Sequence, residues 1–317
     1  MTPTSSPGRI EILNGVPIYF EVHESGEHGQ RRAGKGKSRS LAAPGMTKEG
    51  GGSGEPLLLL HGFSGCSQDW SAFIKMQSEL GECEFQLIIP DMRGHGRSFA
   101  TEEHDSSRAK SAQPGLAVPQ GEKGQHGTIK GPSNVFTAWR HDESAADMYA
   151  LLDHLGIKTF TGLGVSGGGN VLLHMATKQP ERVKAMVLVS ATSYFPAQAR
   201  SIMRAYADNL PSAERENLRR RHPRGDAQIE ALLASARAFA DSYGDMNFTP
   251  AYLGTITART LIVQGDRDPL CPVEISVEMA KAIPRSDLWI LPGAGHGPVL
   301  GERWPEFLKT AAAFLRG

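Results

Sequence analysis

With 317 residues and a 39% hydrophobic share, the chain can bury a real core, as one large domain or as a domain carrying a lid. Its 34 Lys and Arg equal its 34 Asp and Glu, so no overall field draws it to nucleic acid or to an anionic membrane, and no apolar run approaches the ~20 residues of a membrane helix. The three cysteines, Cys66, Cys83 and Cys271, fit neither a disulfide framework nor a metal spacing, and the polar start does not read as a signal peptide, so a soluble, cytoplasmic protein is expected.

From residue 9 to residue 23, apolar positions alternate around Asn14-Gly15, which predicts a hairpin and an antiparallel start to a sheet. Residues 24–55 break every period with glycines and a basic cluster, Arg31, Arg32, Lys35, Lys37 and Arg39, and read as a flexible insert. The run Leu57 to Leu60 suits a strand buried on both faces and ends in His61-Gly62-Phe63-Ser64-Gly65. A helix over 69–80 and a buried strand over 86–90 follow, leading into Asp91-Met92-Arg93-Gly94-His95-Gly96-Arg97-Ser98. Residues 100–133 again lack a period and form a second insert.

A helix over 142–155, with Ala145, Met148, Leu152 and Leu155 on one face, precedes a strand over 158–163. A helix then runs to Pro180, and 184–189 is the next strand. Residues 194–252 interrupt the alternation; their best segment, 228–243, puts Ile229, Leu232, Leu233, Ala236, Phe239, Ala240 and Tyr243 on one helical face and predicts a helical cap. Arg219-Arg220-Arg221-His222 reads as a solvated turn between cap segments, with contact to an acidic substrate as the alternative. Alternation resumes with a strand over 259–264, a helix over 273–283, a strand over 287–291 and a last helix from Pro305. The expected fold is α/β: a doubly wound, mostly parallel sheet with a small helical cap. Its core covers 1–193 and 253–317, and its cap 194–252.

In such sheets ligands bind beyond the carboxyl ends of the strands, so the loops after Leu60, Pro90, Leu163, Gln264 and Leu291 should converge. One of them carries Gly164-Val165-Ser166-Gly167-Gly168, a G-x-S-x-G pattern that lifts a serine hydroxyl clear of the sheet on a strained turn. A serine needs a base to take its proton, and the base needs an acid to fix its tautomer. Gly265-Asp266-Arg267-Asp268-Pro269 and Gly295-His296-Gly297 offer both, giving the order Ser166, Asp268, His296. Asp268 is favoured over Asp266, which should satisfy the N–H groups of its turn. The backbone N–H groups of Phe63 and Gly167 are the natural donors to a developing oxyanion, with the Phe63 ring lining the pocket.

Taken together, His61-Gly62-Phe63, the segment from Asp91 to Ser98, Gly164 to Gly168, Gly265 to Asp268 and Gly295 to Gly297 resemble the α/β-hydrolase superfamily, in its order and over the chain from Ile10 onward apart from the two inserts. The likeness is strongest to bacterial capped esterases and carbon–carbon bond hydrolases of aromatic degradation. It implies a cofactor-free hydrolase of small molecules, with Ser166, Asp268 and His296 as triad and no metal. A ligand receptor on the same fold, an acyltransferase and a lyase are the competing expectations.

Overall fold

Strand β1 (Arg9–Leu13) turns through Asn14 and Gly15 into β2 (Val16–His23). Both turn residues have positive φ, 50° and 78°, as a two-residue turn matched to strand twist requires. This computed structural model describes residues 8–23, 54–79, 85–99, 129–130, 135–136 and 139–317. Cys83, the basic cluster, and most of both expected inserts therefore lie outside the described residues.

Strands β3 (Glu55–Leu60), β4 (Phe85–Pro90), β7 (Phe160–Val165), β8 (Val183–Val189), β9 (Arg259–Gly265) and β10 (Ser286–Leu291) join the hairpin in one sheet. Its order is β1-β2-β4-β3-β7-β8-β9-β10, and β5 (Ile129–Lys130) and β6 (Val135–Phe136) form a separate two-stranded ladder. From β4 to β10 all neighbours are parallel, while β1, β2 and β4 pair antiparallel. This is the mostly parallel sheet with an antiparallel entry that the alternation predicts.

The sheet is a septum between two cores, because successive side chains of a strand point to opposite faces. Leu58 and Leu60 of β3 enter one core while Leu57 and Leu59 enter the other; Ile88 and Ile89 of β4, and Met186 and Val187 of β8, divide in the same way. The first core is closed by α2 (His141–His154), α3 (Gly167–Lys178) and α8 (Val273–Ala282), the second by α1 (Ser71–Glu79) and α9 (Trp304–Arg316). Helices on both faces explain why the central strands are continuous apolar runs. Each Leu or Phe taken fully out of water here contributes roughly 1.5–3 kcal/mol.

Between β8 and β9 the chain leaves the sheet through α4 (Ala197–Asp208), α5 (Ser212–Arg221), α6 (Asp226–Asp241) and the short α7 (Pro250–Leu253). Ala207, Leu218, Ile229, Leu233 and Ala236 give this excursion a small core of its own. One expectation for its longest helix fails. Tyr243 is 70% exposed, because α6 stops at Asp241 and Ser242 turns extended; the Tyr243 ring then lies outside, under the Arg200 guanidinium at 3.9 Å.

Two fasteners hold the excursion over the carboxyl ends of the strands. His222, fully buried, accepts from Gly96 N at 2.9 Å and donates to Ser64 O at 3.1 Å, while Gln228 donates to the carbonyls of Gly94 and Gly96. At the other end, buried Asp245 accepts from the backbone N–H and the Nδ1 of His141, supplying α2 with an N-terminal cap from far along the chain. Burial opposes its ionisation, yet the charge and hydrogen bond of His141 hold the Asp245 carboxyl well below its usual range.

Candidate active site

Ser166 sits between β7 and α3 at φ 52° and ψ −116°, a left-handed conformation that costs a non-glycine residue on the order of 1–3 kcal/mol. Its N–H still completes the sheet by donating to Val189 O at 2.7 Å. The turn closes so tightly that a Cβ on Gly164 would lie 2.5 Å from the Gly168 carbonyl, and one on Gly168 only 2.3 Å from Leu60 O. No side chain fits either place, so the glycines on both sides of the serine are steric necessities.

The turn presents the Ser166 hydroxyl to His296. Their Oγ and Nε2 are 2.9 Å apart, and His296 Nδ1 lies 2.8 Å from Asp268 Oδ2. A neutral imidazole in this setting donates from Nδ1 to the carboxylate and accepts from the hydroxyl at Nε2, which is the tautomer a general base requires. The His296 side chain keeps 28% of its surface, whereas Asp268 is buried. Burial works against the Asp268 charge, but His296, the Cys271 N–H and Gln264 together hold its carboxyl below the usual value.

The acid loop and the histidine loop are joined directly. Arg267 N donates to Ala294 O at 2.9 Å, and a Cβ on Gly265 would come within 2.4 Å of the carbonyls of Ala294 and Gly295. Gly265 is thus the residue that lets the two loops touch, a role the sequence pattern left unassigned. Ser190, at φ 50° and fully buried, braces them from below: its Oγ accepts from Gly297 N at 3.0 Å, and its carbonyl accepts from the Cys271 thiol at 3.2 Å.

Asp266 does not do what the turn chemistry predicts for it. It is exposed, and the turn N–H groups of Leu270 and Cys271 bond instead to Asp268 Oδ1, at 2.8 and 3.0 Å. Asp268 lies inward of the turn and can reach the amides two and three residues ahead, so one carboxylate serves both the turn and His296.

Phe63 and Gly167 meet on the far side of the serine, where a Cβ on Gly167 would stand 3.3 Å from Phe63 N. Gly167 opens α3, so its N–H has no carbonyl a turn behind it to bond. The Phe63 amide therefore lies close to the residue that follows the serine, where α3 begins and its positive end lies. His61 and His95 serve their loops. His61 donates from Nδ1 to Gly62 O and accepts at Nε2 from Met92 N, and burial lowers the pKa of both rings.

The site opens into a cleft of about 350 Å³ whose walls include Phe63, Trp70, Leu300 and Trp304 beside Ser166 and His296. Arg221 also lines it, which corrects the expectation of a solvated turn at 219–222. The three arginines end α5, Arg219 pairs with Asp226, Arg221 faces the cleft, and His222 is buried. Trp304 and Leu300 were not found from sequence because no local pattern records which distant segments close over a strand end. Among the described residues, Asp268, Cys271 and His296 also bring potential ligand atoms within 4.8 Å of one another. Each already has a hydrogen-bond partner there, and burial pushes the Cys271 thiol far up, away from the thiolate a metal would bind.

Comparison with known proteins agrees with this architecture. A non-heme haloperoxidase of Rhodococcus erythropolis is 27% identical over 282 residues, spanning 78% of this chain and 87% of that protein. A 2-hydroxymuconate semialdehyde hydrolase of Pseudomonas sp. strain CF600 is 25% identical over 283 residues, spanning 83% and 88%. The solved structure of a thermophilic esterase from Thermogutta terrifontis covers 98% of both chains with a TM-score of 0.62 at 22% identity, a likeness of fold. The family model described as TAP-like protein matches residues 248–315, and that of the alpha/beta hydrolase fold matches residues 55–236, more than half of the chain. With the sheet order, the serine turn and this match in agreement, the chain belongs to the alpha/beta-hydrolase fold family.

Proposed function

We propose that the protein is a serine hydrolase of small carboxylic esters, lactones or thioesters, working through an acyl-enzyme without metal or cofactor. The observation that carries this reading is the unbroken relay from the Ser166 hydroxyl through His296 to Asp268, opening on an apolar cleft. Ser166 Oγ attacks the substrate carbonyl as its proton passes to His296 Nε2. Asp268 supports the imidazolium, and the N–H groups of Phe63 and Gly167 receive the negative oxygen of the tetrahedral intermediate. His296 then protonates the leaving alcohol, and water repeats the sequence on the acyl-enzyme. The helices between β8 and β9 act as a cap that narrows access and excludes bulk water.

A carbon–carbon bond hydrolysis with the same three residues is the second reading, favoured by the match to the semialdehyde hydrolase. Turnover of a p-nitrophenyl ester series, with a vinylogous 1,5-diketone beside it, separates the two. Steady turnover of esters supports the first reading; turnover of the diketone alone replaces it with the second. A single burst without further turnover makes the protein a receptor. Ser166→Ala should remove turnover by a factor of about 10⁶ while leaving the fold intact. His296→Ala should lose about as much, and the double variant little more, since residues that act as one unit do not add.

A further inference from the structure

We propose that the cleft selects esters without net charge, and that Asp69 enforces this selection by occupying the guanidinium of Arg221. The inference rests on the ester-hydrolase reading and names its substrate class.

Apart from His61 and His296, the only ionisable side chains among the described residues lining the cleft are Asp69 and Arg221. They are spent on each other, Arg221 Nη2 donating to Asp69 Oδ1, with side chains 30% and 29% exposed. Each has a further backbone anchor. Arg221 ends α5 beside buried His222, whose two ring nitrogens are tied to Gly96 N and Ser64 O, and its own Nη1 donates to Ser64 O at 3.4 Å. Asp69 is held by Cys66 N, which donates to its Oδ2 at 3.2 Å in the turn before α1. The rest of the wall is broad and apolar, with Trp70 and Trp304 at a centroid distance of 5.9 Å.

A substrate carboxylate would find the one suitable cation in the cleft already engaged by a fixed carboxylate. It would have to displace Asp69 and remain near it, a like-charge contact in a partly desolvated space. A cationic substrate meets the mirror situation, since Asp69 is neutralised by Arg221. A neutral ester needs neither and gains only from the aromatic wall. Asp69 is therefore a specificity residue that acts by exclusion.

Three methyl esters of equal chain length test this by pH-stat: methyl hexanoate, monomethyl adipate as the anion, and methyl 6-aminohexanoate as the cation. The native protein should favour methyl hexanoate over both charged esters by about 100-fold in kcat/KM. Asp69→Asn keeps an oxygen for Cys66 N but frees the Arg221 fork, which binds carboxylates bidentately. It should raise the adipate-to-hexanoate ratio by at least about 10-fold, chiefly through KM, and adding Arg221→Gln should cancel the gain. Arg221→Gln alone leaves Asp69 unpaired and should raise the ratio for the amino ester by a similar factor. If the native protein hydrolyses none of the three esters nor any p-nitrophenyl ester, the hydrolase reading fails. If it hydrolyses methyl hexanoate but shows no preference over the charged esters, or if neither folded variant moves its ratio by more than about threefold, the exclusion role of the pair is overturned while the hydrolase reading stands.

Discussion

Asp268 carries two loads on one carboxylate: Oδ1 takes the amides of Leu270 and Cys271, and Oδ2 takes His296 and Gln264. Asp268→Asn preserves an acceptor for only one side of this arrangement and places an amide donor on the other. A ring facing that donor takes the wrong tautomer, so kcat should fall by about 10⁴, as loss of the acid does in a serine protease triad. Exposed Asp266 gives a contrasting outcome: Asp266→Asn should leave both kcat and Tm essentially unchanged, which steady-state kinetics and a thermal melt will check. Because Asp268 is held below its ordinary value of 3.8, its ionised form is fully present above about pH 4, and the stability it contributes is lost only as pH falls through the lower folded value. Ser166 and His296 were legible because each is announced within a few residues by the glycines its turn requires. The division of labour between Asp266 and Asp268 was not. Both carboxylates follow the same strand, and only the three-dimensional turn shows that the inner one reaches its own amides as well as His296.

Among elements, the serine turn and the helical excursion between β8 and β9 behave oppositely. The turn is specified locally, and its tolerance is small: Gly164→Val pushes branched carbon into the Gly168 carbonyl, and should yield insoluble or strongly destabilised protein in expression and melting assays. The helical excursion between β8 and β9 is held by distant fasteners, so the break in alternation marked where it lies but not its grip on the sheet. That grip is sensitive to protons. Burial pushes His222, and His174 of α3, whose Nε2 lies 2.7 Å from Asp245 O, down to about 4, so between about pH 6.5 and 4 the unfolded chain binds protons that the folded one refuses. Stability is then full above about pH 6.5 and declines as pH drops towards 4, by about 3 kcal/mol for each ring. Thermal melts across this range should show a falling Tm, and His222→Asn should start lower at pH 7 but fall less steeply.

Over the whole molecule, strand placement was readable from continuous apolar runs, because a strand covered on both faces has no polar side to display. The order of those strands was not readable, since a single sequence carries no record of which runs pair. That order has a practical outcome for the segment between β2 and β3. His23 pairs with Leu87 and Glu55 with Phe85, so both anchors of this segment stand at the amino end of β4, on the edge of the sheet away from Ser166. Replacing residues 24–53 by a short turn should therefore leave kcat and KM unchanged, as initial-rate measurements would show. The segment between Phe99 and Trp139 differs, for its far anchor Trp139 stands at the serine turn, with its ring 3.0 Å from where a Cβ on Gly167 would lie. Finally, the same burial that silences Cys271 also silences Cys66, whose thiol is pushed up to about 11. One lies under the acid loop and the other in the loop after β3. Alkylating reagents reach a thiolate only when its surroundings open, so in a Cys83→Ser background the two labelling rates become separate clocks. They time how often each loop comes apart, and whether the two loops part together.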